Sequence, residues 1–278
     1  MADPHPALAF AGDRDVAVNV LALLLERGDV PSALLLADEG DASHDEALVD
    51  LCLQAGVRPP VIRAKQLNDA TTIDRLRALA LEYLVCVHFP CILRRPVLAT
   101  AARGVLNLHP AYLPYNRGWH TPTWTILDGT PAGATLHFMS EALDAGDIVC
   151  QEQIAVDPSD TAHTLYQKLK ALEVRVFTAG WPQLVEGRVR RVVQAEGDAT
   201  AHRRRDLFDP ALQRIDLDAT VLAGDLLRRL RALTTSRLDE AAYFERDGRR
   251  YRVQVSITPD DGAGLRETRV LAGAAGER

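Results

Sequence analysis

Short apolar runs alternate with amphipathic stretches through the first half of the chain. Residues 7–12 and 32–37 read as strands, while 15–27 and 45–55 carry apolar side chains at helical spacing. A short strand near Val61, a helix over about 71–80 and a strand over 83–88 continue the alternation. Runs such as residues 83–87 are apolar at every position, which is how a strand covered on both faces reads. The pattern predicts an α/β domain, open and doubly wound around a parallel sheet.

Farther along, residues 104–109 form another strand that ends at Pro110, followed by a Pro- and aromatic-rich loop over 111–124. Residues 134–138 alternate like a strand with one open face, and a loop over 140–147 leads into a strand over 148–156. Pro158 and Ser159 open a long helix reaching about Trp181, whose Leu165, Leu169, Leu172 and Val176 share one face. After Val193 the texture changes. Residues 198–205 are polar and basic, and residues 221–233 place Leu222, Leu226, Leu230 and Leu233 on one side of a helix. A hairpin over 243–257 turns at Asp247 and Gly248. We therefore expect a catalytic domain over 1–195 and a small helix-plus-hairpin region over 196–278, with the tail from Thr258 frayed.

Composition narrows the function. With 47% hydrophobic and 25% charged residues the 278-residue chain has the balance of a globular protein. No apolar run approaches the roughly 20 residues that cross a bilayer, so the expectation is a cytoplasmic protein with no membrane partner. A net charge of -6 argues against a nucleic-acid partner held by phosphate contacts. Between His202 and Arg252, however, 12 Arg face 9 Asp or Glu, a local basic surplus suited to an anionic ligand. Cys52, Cys86, Cys91 and Cys150 form no CxxC pair and read as buried thiols. The GxGxxG of a dinucleotide site is absent after the first strand. His109, His120, His137 and Asp144 match no standard zinc spacing, so no metal is expected.

Asn107 and His109 lie two apart on their strand and so project from one face near its carboxyl end, where open α/β sheets bind ligands. They run through Pro110 into Leu113, Pro114, Tyr115, Asn116, Arg117 and Gly118, and Leu143, Asp144, Ala145, Gly146 and Asp147 follow later. These segments resemble the Asn-x-His-Pro, Leu-Pro and Asp-x-Gly elements of the folate-dependent formyltransferases. The stretch from His88 through Phe89, Pro90, Cys91, Ile92 and Leu93 is similar to the part lining that family's pterin pocket. Residues 115–122, 129–135 and 136–139, with the downstream His202, Arg203, Arg204 and Arg205, look most like the nucleotide-sugar N-formyltransferases.

The resemblance implies a Rossmann-like formyltransferase domain using N10-formyltetrahydrofolate as co-substrate. It also implies a dTDP-linked 4-amino-4,6-dideoxyhexose acceptor, a homodimer, and a product destined for glycans such as lipopolysaccharide O-antigen. Asn107 would stabilise the oxyanion of a tetrahedral intermediate, His109 would donate a hydrogen bond or pass a proton, and Asp144 would orient the imidazole and take the amine's proton. Phe89, Cys91, Ile92, Met139, Glu141 and Asp144 are the implied folate contacts. Tyr115, Asn116, Arg117, Trp119, His120, Thr121, His202, Arg203 and Arg204 are the implied acceptor contacts. The rivals are methionyl-tRNA formyltransferase, whose family carries a larger C-terminal barrel, and a non-catalytic folate-binding protein.

Overall fold

Five-residue runs with no polar position can be buried on both faces, and β1 (Leu8–Gly12) is buried throughout. In chain order there follow α1 (Arg14–Glu26), β2 (Pro31–Leu36), α2 (Asp45–Gln54), β3 (Val61–Arg63), α3 (Ala70–Ala78), β4 (Tyr83–Val87), α4 (Arg95–Leu98) and β5 (Gly104–His109). Next come β6 (Arg117–Gly118), α5 (Thr121–Asp128), β7 (Ala132–Phe138), β8 (Ile148–Ile154) and α6 (Ala162–Val185). The remainder holds β9 (Ala201–His202), α7 (Pro210–Gln213), α8 (Ala223–Ala232), β10 (Ala242–Arg246) and β11 (Arg249–Val253). The structure is a computed structural model that describes residues 5–40 and 42–260. The expected fraying beyond Asp260 lies outside the described residues.

The main sheet runs β3-β2-β1-β4-β5-β7-β8. Its first five strands are parallel, while β7 pairs antiparallel with β5 and β8 antiparallel with β7. The sheet is thus mixed rather than wholly parallel. One face is covered by α1, α2 and α6, through Leu21, Leu48, Leu165, Leu169 and Phe177. On the other face Ala9, Ala11, Leu84 and Cys86 pack with Leu67, Leu76 and Val97. Burial pushes the Cys52 and Cys150 thiols up to about 11.

Two elements differ from the sequence expectation for physical reasons. All seven positions of β7 are buried, although its alternation suggested an open face. Thr135 Oγ1 donates to the Ala111 carbonyl at 2.7 Å, so the loop after β5 covers the polar side of that strand. The presumed loop over 111–124 contains the start of α5, because Pro122 sits in the first turn, where a missing N–H costs no helical bond. α6 begins at Ala162, where Thr161 and Thr164 exchange backbone-to-hydroxyl bonds of 3.3 and 2.9 Å. The C-terminal part has its own small core: Leu207, Leu230, Leu233 and Ala242, with Leu226, Val253 and Val255 against it.

Candidate active site

The carboxyl edge of the parallel strands carries the site. In β5, Leu106 and Leu108 are buried beneath α6 and alternate with Asn107 and His109, which therefore point the other way. The antiparallel pairing sets His137 of β7 directly opposite Asn107. Asp144 arrives on the turn after β7 in a left-handed conformation, φ 47°. Beside it, Gly146 lies so close to the Phe138 backbone that a Cβ would collide with it.

Four polar side chains converge there. The Asn107 Nδ2 amide donates to Asp144 Oδ1 at 3.2 Å and approaches His137 Nε2 at 3.3 Å. His137 Nδ1 is 2.8 Å from the Phe138 carbonyl, which can only accept, so the proton sits on Nδ1. Its Nε2 is then the acceptor for Asn107. Burial pushes the His137 pKa down to about 4, which keeps the ring neutral at physiological pH. By the same reasoning His109 donates from Nε2 to the Asn116 carbonyl at 3.1 Å. Asp144 Oδ2 accepts from the Gly118 N–H at 2.9 Å and stands 3.8 Å from His109 Nε2, an electrostatic contact rather than a hydrogen bond.

Burial alone would raise the Asp144 pKa. The neighbouring imidazoles, the Gly118 N–H and the Asn107 amide overcome it, and the carboxyl lies below its ordinary value. Gln194 braces the turn from behind, donating to the carbonyls of Asp144 and Gly146 at 2.8 and 2.7 Å. Its own oxygen accepts from Arg117 at 2.7 Å.

A cavity of about 530 Å³ opens over these groups. Phe89, Cys91, Ile92, Met139, Glu141 and Asp144 all line it, as do Trp119, His120, Thr121 and Arg204. Ile92 is 84% exposed, an apolar side chain left at the rim. His120 Nε2 is buried without a hydrogen-bond partner. Five sequence-derived candidates stand apart from the lining: Tyr115, Asn116, Arg117, His202 and Arg203. Asn116 is buried and donates to the Thr125 and Thr130 hydroxyls at 2.9 and 2.7 Å, so it shapes the loop that holds His109. His202 stacks flat on Trp124, with ring centroids 3.9 Å apart.

The sequence reading missed several lining residues. His137 entered the sequence reading only among residues that match no zinc spacing, and its register opposite Asn107 reveals its place. Arg14, Tyr166, Arg237 and Glu240 also line the cavity. No local signal marks them, since they come from α1, α6 and the segment before β10. Among the described residues, no group of three or more His, Cys, Asp or Glu side chains is placed to hold a metal ion.

The strand order, the Asn107–His109–Asp144 cluster and the cavity above it define a class, and comparison with known proteins fixes it. The formyl transferase family pattern matches residues 28–180, and the chain belongs to that family. Residues 207–259 match the N-formyltransferase dimerization C-terminal domain. The chain is 31% identical over 238 residues to a methionyl-tRNA formyltransferase of Myxococcus xanthus, covering 83% of this chain and 73% of that one. It is 27% identical over 225 residues to a dTDP-4-amino-4,6-dideoxyglucose formyltransferase of Mycobacterium bovis, covering 79% and 95%. The fold is that of a solved sugar N-formyltransferase from a Shewanella species, with TM-score 0.75, 19% identity and coverage of 92% and 99%.

Proposed function

We propose that this protein transfers a formyl group from N10-formyltetrahydrofolate to the amino group of a nucleotide-linked amino-deoxysugar, a dTDP-4-amino-4,6-dideoxyhexose being the best-fitting acceptor. The single observation carrying the chemistry is the convergence of Asn107, His109 and Asp144 at the floor of one cavity. For the acceptor, the support is the match of residues 207–259 to the N-formyltransferase dimerization C-terminal domain, together with the dTDP-4-amino-4,6-dideoxyglucose formyltransferase relative. The division into a catalytic unit over 1–195 and an appended unit over 196–278, with a homodimer formed through the latter, belongs to the same reading.

The residues present fit the folate co-substrate. Phe89, Leu93 and Met139 supply apolar walls, Ile92 an exposed apolar rim, and the volume falls in the range of small-molecule sites, roughly 300–1,000 Å³. When bound, N10-formyltetrahydrofolate supplies a formyl carbonyl whose oxygen gains negative charge as an amine adds to its carbon. Asn107 donates from Nδ2 to that oxygen, exchanging its 3.3 Å contact with His137, the weaker of its two. His109, held by the Asn116 carbonyl, adds a second polar group and passes a proton toward the departing nitrogen. Asp144 stays ionised at neutral pH and receives the amine's proton, directly or through water. Neutral His137 holds the amide through that 3.3 Å contact until the formyl oxygen takes its place, without adding charge.

The test is formyl transfer from N10-formyltetrahydrofolate to a panel of dTDP- and GDP-linked amino sugars, with methionyl-tRNA alongside. We expect turnover on a dTDP-linked 4-amino sugar and none on methionyl-tRNA. Turnover on methionyl-tRNA alone would reverse the acceptor assignment, and folate binding without any turnover would reverse the enzymatic one.

A further inference from the structure

The carbonyl that accepts from His109 Nε2 belongs to Asn116, a residue fixed by contacts far apart in the chain. Asn116 is left-handed, with φ 56°, and is 1% exposed, so no helix, strand or solvent satisfies its backbone N–H. That N–H donates instead to Thr200 Oγ1 at 2.8 Å, and the Thr200 hydroxyl in turn donates to Asn116 Oδ1 at 3.4 Å. The peptide joining Asn116 to Arg117 is held at its other end as well, because the Arg117 N–H donates to the Thr200 carbonyl at 2.9 Å. A run of bonds therefore passes from the His109 ring through one peptide to Thr200, each bond polarising the next.

The following peptide serves the other catalytic group. β6 pairs with β9 so that Arg117 lies opposite Ala201 and Gly118 opposite His202. The Trp119 N–H donates to the His202 carbonyl at 3.0 Å, and the Gly118 N–H is the donor to Asp144 Oδ2 at 2.9 Å. Gly118 has φ 96°, and a Cβ there would collide with the His202 carbonyl, so glycine is what lets β9 approach this closely. Residues 200–202 thus stand behind both His109 and Asp144, although none of the three lines the cavity.

The course of the chain shows that this contact is more than loop packing. After Gln194 braces the Asp144 turn, residues 195–198 run exposed, and the chain comes back to the site at Thr200, which is half-buried. Main-chain pairing of β6 with β9 needs no particular side chain at position 200. The hydroxyl is required only by the buried Asn116 N–H, whose placement sets where the Asn116 carbonyl points.

We propose that Thr200 is a positioning residue for formyl transfer: its hydroxyl and carbonyl orient the Asn116–Arg117 peptide, and that peptide sets the plane and tautomer of the His109 ring. This rests on the catalytic reading above. Thr200→Val keeps the side chain's shape but puts a methyl where the Asn116 N–H needs an acceptor. It should lower kcat for sugar formylation by about tenfold or more, with KM values and folate affinity nearly unchanged, while Thr200→Ser, which keeps the hydroxyl, restores the rate. In a His109→Ala background Thr200→Val should cost little more, since its effect runs through the ring. Imidazole 15N spectra of the free protein read the ring without turnover: His109 should be protonated at Nε2 in the wild type and a mixture of tautomers in Thr200→Val. An unchanged His109 spectrum, a wild-type kcat, or a full loss persisting in the His109→Ala background would overturn the proposal. Loss of folate binding in Thr200→Val would overturn it too, marking Thr200 as a packing residue. If the wild type formylates no acceptor while its His109 spectrum responds to Thr200→Val, the orientation of the ring by Thr200 stands and the functional reading falls.

Discussion

At the scale of single residues, the site depends on which atoms hold protons. Neutral His137 is a consequence of burial, and it makes a stability prediction whose sign is fixed. Between its ordinary 6.5 and about 4, the unfolded chain binds a proton that the folded chain refuses. Folding stability must therefore fall as the pH drops through that window, by on the order of 3 kcal/mol for this residue. Urea unfolding from pH 7 to pH 4 should show a shallower loss in His137→Asn than in the wild type; parallel curves would contradict the buried neutral ring. Asp144 bears on the rate instead. Its carboxyl is held below its ordinary value, so Asp144→Asn should cut turnover by about a hundredfold or more and abolish its contribution to the acid limb of the pH–rate profile. An unchanged profile would remove it from proton transfer. Asn107 and His109 were legible in the sequence because a two-residue spacing and the following Pro110 are local features. His137 was not, since its role comes from lying opposite Asn107 across an antiparallel pair, and nothing in residues 134–138 announces the pairing.

Among the elements, the turn after β7 determines the geometry. Gln194, in the stretch after α6, makes bonds to two carbonyls of that turn and accepts from Arg117, tying three distant segments together. Gln194→Ala should lower kcat by about tenfold or more with little change in secondary structure, because small displacements of a catalytic group are costly. Circular dichroism and steady-state kinetics on the same sample decide it, and an unaltered kcat would show that the turn holds itself. The apolar pattern predicted β1, β2, β4, β5 and α1 to within a residue or two, since their burial is written into consecutive side chains. It read 111–124 as a loop because Pro122 obscured the start of α5, and β7 as half-open because its cover comes from the loop after β5. Arg203 and Arg204 looked equivalent in sequence, whereas only Arg204 lines the cavity.

For the whole molecule, the C-terminal unit closes a core of its own yet leaves Val221, Leu222, Leu227 and Leu238 more than half exposed. With the dimerization match over residues 207–259, that surface is the expected contact between two copies. Light scattering should give twice the chain mass, and Leu222→Asp with Leu227→Asp should halve it; a monomeric wild type would contradict the homodimer. The same unit contributes Arg237 and Glu240 to the cavity. The central claim remains that Asn107, His109 and Asp144 carry formyl transfer to a nucleotide-linked amine. Its most direct test is the single-turnover rate of sugar formylation with saturating N10-formyltetrahydrofolate, comparing the wild type with Asn107→Ala and His109→Ala. The rate should fall at least about a hundredfold in each variant while both ligands still bind; near-wild-type rates in either would contradict the assignment.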